Sequence, residues 1–95
     1  MSDSIAGVPK FSLGQIFVTP DSKRVVPASE LAAALNRHEH GDWGNVGPKG
    51  IAINERALVS GARLFSVYQS SDGVTFWIIT EPDRSATTVL LPENY

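Results

Sequence analysis

His38-Glu39-His40-Gly41-Asp42 is the densest run of chemically capable side chains in this sequence. Two imidazoles and a carboxylate are donors that a zinc-type ion accepts. Their spacing argues against it. Residues two apart on a helix point about 200° away from each other, so one turn cannot aim both imidazoles at one ion. His38 falls on the apolar face of the helix that Gly41 ends. A hydrogen-bonded imidazole at the core edge is the simpler role. Neither a metal nor another cofactor is expected.

Three further clusters each carry two readings. Trp43 beside Asp42 offers a stacking ring for a base or a partner; alternatively the ring plugs the gap between helices and Asp42 caps the loop. Glu81, Asp83 and Arg84 offer acid–base chemistry or an anion site; alternatively Asp83 bonds within its own turn and Arg84 pairs with Glu81. Arg84, Ser85, Thr87 and Thr88 offer phosphate contacts, or an ordinary β-branched strand. The chain has no cysteine, which removes disulfides, thiolate metal sites and cysteine nucleophiles together. It has no phosphate-cradling glycine loop, no Gly-x-Ser-x-Gly elbow and no His-Glu-x-x-His helix. No residue is assigned a catalytic role, and the reading leans away from an enzyme.

The elements that hold these residues follow from periodicity. Phe11-Ser12-Leu13-Gly14-Gln15-Ile16-Phe17-Val18 reads as a strand, stopped by the turn signal Thr19-Pro20-Asp21. Residues 21–26 are ambiguous, with Val25-Val26 readable as an extended piece. A helix starts with Ser29 as N-cap and places Leu31, Ala34, Leu35 and His38 on one face, up to Gly41. A second runs from about Lys49 to Ser60, with Gly61 as its C-terminal cap. The remainder is a β-meander. Asp72-Gly73 marks one hairpin and the residues around Pro82 another turn, with strands at residues 63–69, 74–80 and 86–91. The expected fold is α+β, in the order β-α-α-β-β-β, with a short antiparallel meander and an N-terminal strand packed on two helices. Residues 1–9 form a loose arm and residues 10–95 a single domain.

The strand Phe76-Trp77-Ile78-Ile79 is apolar on both faces. A sheet with one wet face alternates apolar with polar. Two helices cover one face, and a second copy of the chain is the economical cover for the other, so a homodimer is expected. The alternative is that the first strand or the N-terminal arm folds over it.

Composition is that of an ordinary globular chain: 95 residues, 42% hydrophobic and 19% charged. The formal net charge is −2, and the basic residues are scattered. Proteins that grip nucleic acid by charge alone usually show a basic stripe. No apolar run approaches the ~18 residues of a membrane helix, and no signal peptide is visible at the N-terminus. A soluble, cytoplasmic protein is expected.

Several segments occur in a fixed order: Phe11-Ser12-Leu13-Gly14-Gln15-Ile16, Gly41-Asp42-Trp43-Gly44, Asn54-Glu55-Arg56-Ala57-Leu58, Trp77-Ile78-Ile79-Thr80-Glu81 and Asp83-Arg84-Ser85-Ala86-Thr87-Thr88-Val89-Leu90-Leu91-Pro92. The set resembles a family of small plasmid-related proteins carried on bacterial plasmids and integrating elements. The resemblance spans residues 11–95. It implies a mobile-element accessory protein and gives no residue a role. The first expectation is therefore a non-enzymatic accessory protein that contacts nucleic acid as a small regulator, with DNA the candidate partner. Arg37, Arg56 and Arg84 are its candidate phosphate contacts and Trp43 its candidate stacking group. The alternative is a protein–protein interaction module acting on a host protein.

Overall fold

The computed structural model describes residues 7–95. In chain order the elements are β1 (Gln15–Val18), α1 (Pro20–Val25), α2 (Ala28–Glu39), α3 (Gly47–Ser60), β2 (Leu64–Gln69), β3 (Thr75–Thr80), β4 (Ala86–Leu90) and a closing 3-10 turn at Pro92–Asn94. The α+β class and the run of strand, helices and three strands are as expected. Of the expected loose arm, residues 1–6 lie outside the described residues. The folded body is joined at Lys10, whose N–H donates to the Glu39 carbonyl at 2.8 Å.

One four-stranded sheet holds the order β1-β4-β3-β2. β2, β3 and β4 form the antiparallel meander, and the hairpin turns at Gly73 with φ of +81°. β1 pairs with β4 in parallel, so the sheet is mixed. The three helices carry the chain from one edge of the sheet to the other before β2 begins.

Of the boundaries that differ from the sequence reading, four have a local reason. The first strand is four residues long and does not begin at Phe11. Phe11 turns inward instead, stacked on Trp43 and edge-on to His38. Gly14, with φ of +64°, bends the chain so close to β4 that a Cβ there would lie 2.4 Å from the Ser85 carbonyl. Of the ambiguous residues 21–26, all but the last belong to a helix over Pro20–Val25, and only Val26 is extended. Thr19 caps it, accepting the Ser22 N–H on Oγ1 at 3.3 Å, with Pro20 fixing the first turn and Asp21 behind it. α2 begins one residue before the expected N-cap Ser29, and Pro27 is its N-cap. α3 begins at Gly47, with Pro48 in the first turn that Lys49 was expected to open.

All helices lie on one face of the sheet. The core there joins Val26, Leu31 and Ala34 to Tyr68, Phe76, Ile78, Val89 and Leu91. Trp43, Ala57 and Leu64 form a second cluster. Strand alternation sends Phe17, Phe65, Val67, Trp77, Ile79, Thr88 and Leu90 to the opposite face. Among the described residues neither the first strand nor a helix folds over that face, and residues 1–6 of the arm lie outside them. Its own C-terminus gives partial cover: Tyr95 packs edge-on against Trp77 at 5.6 Å and accepts a hydrogen bond from Arg63 on its hydroxyl.

Candidate functional site

The serine–histidine pair among the described residues is sealed inside the protein. His38 and Ser66 are both fully buried, with Oγ of Ser66 2.6 Å from Nδ1 of His38. On the other side, Nε2 of His38 lies 2.9 Å from Oγ1 of Thr80, which lies 2.7 Å from Oγ1 of Thr87. Thr87 donates to the carbonyl of Leu13. A carbonyl only accepts, so the chain has one direction. Thr87 donates to Leu13, Thr80 to Thr87, and His38 through Nε2–H to Thr80; Ser66 then donates to Nδ1. The imidazole is neutral and fully satisfied. Burial, reinforced by the nearby Arg84 charge, lowers its pKa to about 3. This line of polar groups ties α2 to β2, β3 and β4 and leads nowhere that a substrate can reach. His40 is occupied separately, with Nδ1 2.7 Å from the Asn36 carbonyl. Among the described residues no group of three His, Asp or Glu is placed to hold a metal ion.

Three of the four candidate nucleic-acid residues are engaged within the chain. Trp43 is 3% exposed, with its ring on Phe11 and its Nε1–H donating to Glu55 at 2.9 Å. It fills the gap between helices, the second of the two roles its sequence allowed. Arg37 grips Asp42 with two hydrogen bonds, at 2.7 and 3.1 Å, and lies over the Tyr68 ring. That grip holds the Asp42 carboxyl below the usual carboxylate range. Arg84 has φ of +60° and folds its guanidinium back to donate to the carbonyls of Ala57, Ala62 and Glu81. It closes the C-terminal end of α3, pairing with the Glu81 backbone where its sequence suggested the side chain. Only Arg56, exposed on α3, makes no side-chain hydrogen bond or ion pair among the described residues. Asp83 bonds within its own turn, accepting from the N–H and hydroxyl of Ser85.

What the fold leaves exposed is backbone. A sheet has two edges, each with a row of N–H and C=O groups that need partners. At β2 they have them. Asn54, 2% exposed on α3, accepts the Phe65 N–H at 3.1 Å and donates to the Phe65 carbonyl at 2.8 Å. The next outward residue, Val67, donates to the Trp43 carbonyl and accepts from the Asn45 N–H. Gly44 lets that loop come so near that a Cβ on it would meet the Val67 carbonyl oxygen at 2.0 Å.

At β1 the outward groups have no such cover. Gln15 and Thr19 donate to the Ser85 and Val89 carbonyls of β4. Bonding alternates along a parallel ladder, so Ile16 and Val18 turn their N–H and C=O groups away from the sheet. No hydrogen bond reaches these groups from the described residues. Ile16 is 45% exposed on the helix face and Phe17 48% exposed on the other. Behind this edge, between β1 and the first two helices, lies a cavity of about 460 Å³. Val18, Val26, Leu31, Leu35, Ala28 and Ala32 line it, and Lys23 is its one charged group.

Asn54 and the β1 edge are the functional features that sequence reading missed. Asn54 sits among apolar residues at helical spacing, which is the available signal for a buried polar role. The uncharged run Gln15-Ile16-Phe17-Val18 was the signal for an unprotected edge. Comparisons of the chain with protein-family models, with curated proteins and with solved structures found no match.

Proposed function

We propose that this chain is a non-enzymatic protein-interaction module that engages its partner along the β1 side of the sheet. The observation that carries the reading is the β1 edge, which no hydrogen bond from the described residues reaches, flanked by exposed Ile16 above and Phe17 below. Edge strands are a recurring docking element, because the partner's backbone completes the ladder. The apolar face that runs from Phe17 across to Trp77 adjoins this edge and widens the contact. The resemblance to plasmid-related proteins puts such a module in a bacterial mobile-element setting, acting on a host protein.

The nucleic-acid reading rests on Arg37, Arg56, Arg84 and Trp43. Trp43 is buried, and Arg37 and Arg84 are engaged within the chain. A net charge of −2 gives no general attraction to phosphate. The test is selection of a phage-displayed random heptapeptide library on the immobilised protein, alongside gel shifts with single- and double-stranded DNA at two salt concentrations. Enriched peptides that shift amide resonances around β1 support the reading. Salt-sensitive DNA binding with no enriched peptide overturns it.

A further inference from the structure

We infer that the β1 edge and the groove behind it take one extended peptide segment as a fifth strand, with an apolar side chain in the groove and a carboxylate at Lys23. This inference rests on the interaction reading and names the ligand chemistry of the same site. The backbone supplies the first part of the argument. Ile16 and Val18 present the N–H and C=O groups of an unfinished ladder, and a strand laid beside them meets these groups at the usual spacing of about 4.8 Å.

The groove supplies the second part. Alternate side chains of an added strand point to the helix face, the face on which Val18 meets α2. The cavity there, about 460 Å³, falls within the range of ligand pockets. Leu31, Leu35, Val26 and Ala32 give it aliphatic walls, which suit a Leu, Ile or Met side chain.

Charge supplies the third. Lys23 is exposed at this groove and belongs to neither of the ion pairs found among the described residues, Arg24–Asp21 and Arg37–Asp42. A side-chain or terminal carboxylate is its complement. The same point weighs against a second copy of β1 as the occupant. Gln15-Ile16-Phe17-Val18 carries no carboxylate, and Pro20 follows almost at once. Two four-residue strands reach only about 13 Å, too short by themselves for the roughly 1,200 Å² of a stable interface.

The experiment uses the most enriched displayed heptapeptide, synthesised with fluorescein and titrated against the full chain by anisotropy. Enriched sequences are expected to share an apolar residue near an acid. Ile16→Pro removes an outward N–H without touching the ladder to β4, and should weaken binding by at least about tenfold. Ala32→Glu, which fills the groove with a charged side chain, should do the same. Lys23→Glu should weaken it about threefold, and a peptide with Lys in place of its acid should recover the loss. Circular dichroism and thermal melts of each variant confirm that it is folded. Binding that survives Ile16→Pro, with shifts centred on Phe17 and the apolar face beside β1, overturns the inference and leaves the interaction reading standing; shifts centred on Phe65 at the far edge overturn both. A dimer by light scattering that Ile16→Pro dissociates overturns it too, since the edge then belongs to a second copy.

Discussion

The two edges of this sheet solve the same problem in opposite ways. β2 is closed by a side chain and a loop: Asn54 completes Phe65, and residues 43–45 complete Val67. Among the described residues β1 is left open, with two exposed apolar side chains on it and no charge. Natural sheets commonly guard an edge with lysine, proline or a covering segment. Among the described residues one edge is guarded at both of its central outward residues and the other at neither.

Acidification tests the closed side with the largest effect. His38 ties α2 to Ser66 on β2 and Thr80 on β3. In the unfolded chain its imidazole takes up a proton near pH 6.5, and in the folded chain only near 3. Below pH 6.5 the unfolded state therefore gains a proton that the folded state refuses. Stability is full above that value and falls as pH drops towards 3. The loss is about 3 kcal/mol by pH 4, measurable in urea titrations across pH. A His38→Gln variant should lose this part of the slope while keeping that of Asp42 and the other carboxylates. An unchanged slope would falsify the assignment to His38.

Asn54→Ala comes next. It strips both partners from Phe65 and leaves a buried N–H and C=O unmet, for an expected loss of about 2 kcal/mol. Asn54→Asp should cost a similar amount, because it accepts from the N–H but cannot donate to the carbonyl. Hydrogen exchange of the Phe65 amide should rise in both. If neither variant moves urea stability or that amide, the side chain is not what closes this edge.

The smallest effect is expected at the open edge. Ile16→Pro removes an N–H that nothing in the described chain accepts, so stability should stay within about 0.5 kcal/mol of the parent. A loss as large as that of Asn54→Ala would mean that β1 is also closed, and the contrast between the edges would collapse.

The architecture was legible where local pattern and tertiary role agree. Asp72-Gly73 between alternating runs marked the hairpin, and the spacing of Leu31, Ala34 and His38 marked the buried face of α2. The double-sided apolarity of β3 was also readable. One face meets helices; on the other, Ile79 and Leu90 are buried among neighbouring side chains and Tyr95 packs on Trp77. Thr19-Pro20-Asp21-Ser22 was misread because cap-and-proline chemistry that starts a helix also makes a turn. The candidate site was the least legible. Arg84 and Trp43 have the residue types of a binding surface, and only long-range packing turns them inward. The parallel pairing of β1 has no local signature at all, since Gln15 meets Ala86 across nearly the whole chain.

That pairing has a kinetic side. β2, β3 and β4 are joined by short turns and can zip together early, whereas β1 must close a loop of most of the molecule's length before it gains a single bond. β1 is thus the last strand to be secured, and the first whose release costs only one ladder. No hydrogen bond from the described residues reaches its outer flank. A segment added there clamps β1 from its second side, so an occupant of the edge acts as a brake on unfolding, slowing the step by which the sheet begins to come apart.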